Sequence, residues 1–258
     1  MSTTTSSAAA PAARDAGTLV WDLPTRLFHW SLAICFAGAW LTSDSERQHL
    51  LHLLFGYSLF GLIAFRVVWG FVGSRHARFA SFAHGPVTTW RYLAGMLRGR
   101  PAHHVGHNPA GAVAIWLLLG LGLATAGVGI AMMSGAGEAL EEVHEILATA
   151  MLVVVGLHLL GVIVGSVLHR ENLPKAMITG RKRGLRAEDG IRKRSFVVGL
   201  ALLAALAAFW TAGLMLKRPP LGLPGGDASA EGEHRDGERA AGAESEGRED
   251  RDEDGDDD

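Results

Sequence analysis

The 258-residue chain has one cysteine, Cys35. A single thiol excludes an internal disulfide framework, a cysteine-rich zinc centre, an iron–sulfur cluster held by this chain alone, and a CxxCH covalent haem attachment. Aromatic residues are also scarce, at 7%. Mean hydropathy is nevertheless positive, at +0.20. Charge is missing from several long stretches, which argues against a water-soluble globule and marks those stretches as membrane-helix candidates. The first residues, Met1 to Gly17, are rich in Ser, Thr and Ala and lack the basic start and apolar core of a signal peptide. Composition predicts disorder over residues 1–20.

The net charge of −2 conceals a division. Residues 1–226 hold 20 basic and 11 acidic side chains, whereas residues 227–258 hold 15 acids and 4 arginines. The chain is therefore a basic body, net +9, with an acidic tail, net −11. The tail region, 217–258, is too polar to bury a core and is expected to be disordered.

Five apolar runs stand out: Leu27–Ser43, Leu50–Val72, Gly111–Met133, Ile146–Leu168 and Phe196–Leu216. Each fits the ~17–25 helical residues that cross a hydrocarbon core of about 30 Å. Asp22 and Pro24 read as a cap and first-turn proline that extend the first run upstream. The runs are too long and too unbroken for strands. The connection between runs two and three carries Arg75, Arg78, Arg91, Arg98 and Arg100, and nine basic residues lie between Arg170 and Arg194. The other two connections carry Arg47 alone and none, with Glu138, Glu141, Glu142 and Glu145 in the latter. Basic connections stay cytoplasmic. The expected topology has the N-terminus inside and the acidic tail outside, in a multi-pass membrane protein. Within the first basic connection, Trp90–Arg100 is expected to lie amphipathically on the membrane surface.

Histidines inside such runs need explaining, because intramembrane polar groups are costly. His144 and His158 are 14 residues apart. At about 100° per residue they share one helix face, and at ~1.5 Å rise they stand ~21 Å apart. Two levels on one face suit two stacked haems, with a second ligand needed at each depth. His52 matches the outer level of His144, and His29 the inner level of His158. The plainer reading of any one of these is a hydrogen bond to a neighbouring helix. The joint agreement of depth and face is what favours ligands.

The segments WDLPTRLFHW (21–30), LHLLFGYSLFGLIAFRVVWGFVGSRHARF (51–79), GHNPAGA (106–112) and VHEILATAMLVVVGLHLLGVIVGSVLHRENLPKAMITGRKRG (143–184) resemble the prokaryotic cytochrome b561 family. That family is similar to the b-type cytochrome subunit of nickel–iron hydrogenases. The resemblance covers about residues 20–184. It implies an all-α membrane protein in which a four-helix transmembrane bundle over 21–184 holds two non-covalent b haems. The implied iron ligands are His29, His52, His144 and His158. A basic cytoplasmic linker (185–195) and a fifth C-terminal transmembrane helix (196–216) lie outside the four-helix pattern.

Within this frame Arg66, Arg26 and Arg75 are candidates for salt bridges to haem propionates, against the plain reading of snorkelling to headgroups. His107 in GHNPAG and His169 in LHREN are candidates for propionate or quinone contacts, or else interfacial polar residues. His49 either shapes an outer substrate site or faces water. His76, His84, His103 and His104 read as loop residues. Gly120, Gly122, Gly127 and Gly129 read as packing positions, Met132 and Met133 as apolar filler, and Cys35 as a small apolar residue. The basic run Arg181–Ser195 reads as a topology determinant facing anionic lipid rather than a nucleic-acid site.

The resemblance implies electron transfer between the quinone pool and an outer partner. Candidates for that partner are a c-type cytochrome, a periplasmic oxidoreductase subunit, a hydrogenase, or a small oxidant or reductant such as superoxide. The protein is then an electron-transfer component, with a quinone-linked oxidoreductase as the enzymatic version. The competing readings are a non-haem transporter or an assembly or anchor protein with interhelical histidines. Neither broken helices nor internal symmetry supports a transporter.

Overall fold

The computed structural model describes residues 17–99, 102, 104–136, 140–191 and 195–223. Most of the N-terminal segment and of the acidic tail lies outside the described residues. Seven α-helices occur among them: α1 (Leu23–Leu41), α2 (His49–Val72), α3 (Pro86–Leu97), α4 (Pro109–Ala131), α5 (Glu141–His169), α6 (Leu173–Thr179) and α7 (Phe196–Leu216). Two short strands, β1 (Thr18–Leu19) and β2 (Arg181–Lys182), pair antiparallel.

Local chemistry starts the helices. Asp22 caps α1, its Oδ1 accepting from the Thr25 N–H at 2.8 Å, with Pro24 in the first turn. Asn108 caps α4 in the same way, accepting from the Gly111 N–H at 2.7 Å ahead of Pro109. Asn172 does so for α6. The first turn of α5 carries Glu141 and Glu142, which suit the positive end of its dipole. The expected surface segment is α3, with Val87, Trp90 and Leu97 exposed and Tyr92 buried.

Four spans are long and apolar enough to cross a membrane: Glu46–Val72, Pro109–Ser134, Glu141–His169 and Phe196–Leu216. The first of the five runs, now α1, falls short of that apolar level because Thr25, Arg26, His29 and Ser31 interrupt it. It still runs antiparallel beside α2 along the same layer. Its start meets the end of α2 where Trp69 Nε1 donates to Asp22 Oδ2 at 3.1 Å. Its end meets the start of α2 where Phe55 lies against Gly38.

The helices form two antiparallel hairpins, α1–α2 and α4–α5, joined through α2 against α4. Leu59, Leu62 and Ile63 of α2, Phe28 and Cys35 of α1, Leu119 and Ala126 of α4, and Met151 of α5 make the shared core. Helix α5 is buried elsewhere only at Gly165. Helix α7 packs on α1 and α2. A Cβ at Gly213 would sit 2.5 Å from Leu54, and one at Gly199 would sit 2.9 Å from Leu23. A side chain at either position would have to push its leucine neighbour aside. Trp210 adds an Nε1–H donated to Ser58 Oγ at 3.0 Å and an edge contact with Phe55.

The strand pair ties the two ends of the bundle together on its arginine-rich side. The Val20 N–H donates to the Gly180 carbonyl at 2.8 Å, and the Ile191 N–H to the Leu19 carbonyl at 2.8 Å. The entry to α1 and the exit from α5 and α6 are thus held at one level.

Candidate functional site

Two histidine pairs lie between the hairpins. The rings of His52 (α2) and His144 (α5) are 6.3 Å apart, centre to centre, with planes at 67°. Those of His29 (α1) and His158 (α5) are 6.5 Å apart at 54°. Within each pair the residues come from helices that are not packed directly on one another. The pairs stand at two levels of the bundle, because His144 lies in the first turn of α5 and His158 is 14 residues further along it.

Three of the four ligand candidates have a positional cause. His52 Nδ1 lies 2.9 Å from the Ala39 carbonyl. That nitrogen must carry the proton and donate it, which leaves Nε2 as the free lone pair. His144 lies against α4 at Gly129, where a Cβ would stand 3.1 Å from the ring. His29 sits one turn and a half inside α1, edge-on to Trp30, with its Nδ1 buried and lacking a hydrogen-bond partner. The α1 cap and the strand pair set its depth.

The ring separation is the test of fit for a haem. Two imidazoles bonded to one iron at about 2 Å would place their ring centres roughly 6 Å apart. Both pairs have that separation.

Around the His29–His158 end lies a set of buried polar groups. Arg66 is 3% exposed. Its guanidinium lies 4.9 Å from the Phe79 ring centre and 5.8 Å from that of Phe82. Its NH1 is buried without a hydrogen-bond partner. A buried guanidinium with a spare donor is costly unless a carboxylate or similar acceptor meets it. His107 lies between Trp21 and Phe82, with ring centres 4.5 and 4.7 Å away and planes tilted at 50° and 60°, and its Nδ1 also lacks a partner. Burial first, and then the charges of Arg66 and Lys182, push His107 down to about 3, so it is a neutral imidazole. Arg66 and His107 are thus the two candidates that stand with the inner histidine pair.

The other candidates are engaged elsewhere. Arg26 NH1 donates to the Ile178 carbonyl of α6 at 2.6 Å. Arg75 is exposed, and its NH1 lies 3.4 Å from the Glu188 carbonyl. His169 Nε2 lies 3.4 Å from the Tyr92 hydroxyl. Three residues that matter here have no sequence mark tying them to the site. Asp22 reads as a cap alone, yet it is fully buried and also bonds Trp69. Phe82 separates Arg66 from His107. Lys182 pairs with Glu171 at 3.5 Å, and burial lowers its pKa against the opposing pull of that carboxylate.

The sequence profile of prokaryotic cytochrome b561 matches residues 20–180, more than half of the chain. The chain belongs to the prokaryotic cytochrome b561 family. Membership makes it a multi-pass bacterial membrane protein of the b-type cytochrome class, which binds haem b and takes part in electron transfer. The match ends before α7, so α7 of this cytochrome b561 lies outside the matched region. No curated protein and no solved structure matches the chain significantly.

Proposed function

We propose that this cytochrome b561 is a dihaem electron-transfer protein, in which His29 and His158 hold one haem b and His52 and His144 the other. The observation that carries the reading is the pair of matched ring separations, 6.5 and 6.3 Å, at two levels of one bundle. Bound haems supply reversible one-electron chemistry at two depths of a low-dielectric layer. The chain's own residues orient that chemistry. The Ala39 carbonyl fixes the His52 tautomer, and Gly129 admits His144. Arg66 NH1 and the Nδ1 of neutral His107 are buried groups able to donate to a propionate or quinone oxygen at the inner level. Arg26, Arg75 and His169 have protein partners and serve the same end as outer supports.

The arginine-rich side, with Arg75, Arg78, Arg91, Arg98, Arg170 and Arg186, faces the cytoplasm, and α1 and α7 both cross the membrane. The opposite face exposes Asp44, Glu46, Glu141, Glu142 and Glu145. That acidic rim favours a basic periplasmic partner such as a c-type cytochrome or an oxidoreductase subunit, by steering that weakens with salt. The quinone pool supplies or takes electrons at the inner level.

The experiment is quinol-driven reduction of the purified, haem-loaded protein in nanodiscs, followed at the haem absorption bands. Reduction by a ubiquinol analogue, and reoxidation by a basic c-type cytochrome at low salt, are expected. Full haem loading with no reaction toward any benzoquinol or naphthoquinol would overturn the quinone assignment.

A further inference from the structure

A cavity of about 300 Å³ opens on the arginine-rich side, lined by Arg75, His76, Ser81, His84, His104 and His107, with Val105 and Gly106 between the last two. No carboxylate is among the lining residues. The space is large enough for several waters.

The rings in this cavity are not equivalent. His76 Nε2 donates to the Asp189 carbonyl at 2.8 Å and is committed to tying the loop down. His104 Nδ1 donates to the Ala102 carbonyl at 3.0 Å, which leaves Nε2 free to accept and release a proton. The His84 ring lies edge-on to that of His104, 5.8 Å away centre to centre, and its Nε2 is 3.5 Å from the His107 carbonyl. The Tyr92 ring stands 5.5 Å from His104 on the other side, with its hydroxyl 3.4 Å from His169 Nε2. His107 closes the inner end beside the buried Arg66. Two imidazoles of the loops, His84 and His104, and the buried His107 thus line one space that opens to the surface.

We propose that this cavity is the proton port of the inner redox site, with His84 and His104 as its relay residues. The proposal rests on the quinone reading above. Reducing a quinone to a quinol takes two electrons and two protons, one proton on each carbonyl oxygen, and the reverse releases both. The electrons come or leave through the inner haem level. The protons must pass a buried layer of Trp21, Phe82 and His107 to reach bulk water, and His84 and His104 exchange them at the outer face of that layer. His104 gains a proton at Nε2 from one side and loses it to the other while Nδ1–H stays on Ala102, so it returns unchanged. The charged and titratable groups facing the relay are Arg75 and His76 from the loop after α2, Tyr92 of α3, His169 of α5, Lys182 of β2 with its partner Glu171, and His107 itself.

The test compares the haem-loaded protein with His84→Gln, His104→Gln and the double variant in nanodiscs. Haem reduction by a ubiquinol analogue is followed from pH 5.5 to 9, in H₂O and D₂O, with and without added imidazole. The double variant is expected to slow by about tenfold or more, to lose the inflection of its pH profile, and to recover in part with imidazole, at unchanged haem content. An unchanged rate and profile would overturn the port alone. A slow rate that imidazole does not restore, at full haem content, would make the residues structural and overturn it as well. Failure of the unaltered protein to react with quinol would remove the quinone reading and the port with it.

Discussion

The ring centres of His29 and His158 stand 6.5 Å apart although α1 and α5, which carry them, are not packed on one another. Their register is set at a distance, by the β1–β2 pair and by Gly180, whose carbonyl accepts from Val20 and Trp21. Gly180 has φ +78°, and a Cβ there would lie 2.7 Å from the Trp21 carbonyl. Gly180→Val is therefore expected to disturb the inner pair and spare the outer one. Low-temperature reduced-minus-oxidised spectra should show loss or shift of one haem signal only. Equal loss of both signals would contradict the local role of the strand pair.

Asp22 performs two tasks from a fully buried position, capping α1 and accepting from Trp69. Asp22→Ala removes both and is expected to cost about 1–3 kcal/mol. Trp69→Phe removes only the second and should cost less. Thermal unfolding in detergent ranks them, and an equal or reversed order argues against the double role.

His107 gives a pH dependence with a definite sign. Its folded pKa is lowered to about 3 from the ordinary 6.5. Between those values the unfolded chain binds a proton that the folded chain refuses, so stability falls as pH drops below about 6.5 and stops falling near 3. His107→Gln should flatten that limb of a stability-against-pH curve measured on the haem-free protein. A variant curve that keeps the full slope would assign the acid sensitivity to other groups.

Helix α7 is docked by close approach rather than by chemistry at the histidines. Trp210→Phe, which loses the bond to Ser58, is expected to cost about 0.5–1.5 kcal/mol. Gly213→Leu, which clashes with Leu54, should cost more. Both should retain full haem content. Loss of the haem at the His52 level in either variant would give α7 a part in ligand placement.

Part of this architecture is legible in the sequence and part is not, for reasons of distance and degeneracy. The shared face of His144 and His158 follows from helical period alone, so their spacing is enough to give their common orientation. The Asp22 cap is equally local. The Asp22–Trp69 bond joins residues 47 apart, and a tryptophan in an apolar run has no mark that separates a core donor from a lipid-facing ring. The strand pair is two residues long on each side, too short for any alternation to show. His76, His84 and His104 read as loop residues because loop positions carry no period, and only the fold of the connection around Phe82 brings them to one cavity. The first run resembles the others in length, yet Thr25, Arg26, His29 and Ser31 leave α1 less apolar than the four clear spans.

That two haems are each clamped by one of the two histidine pairs is tested most directly by haem quantitation and reduced-minus-oxidised spectra. The samples are the purified full chain and its His29→Ala, His158→Ala, His52→Ala and His144→Ala variants. Two haems per chain are expected. His29→Ala and His158→Ala should lose the same spectral component, and His52→Ala and His144→Ala the other. A single haem per chain, or loss of different components within a pair, would contradict the dihaem assignment.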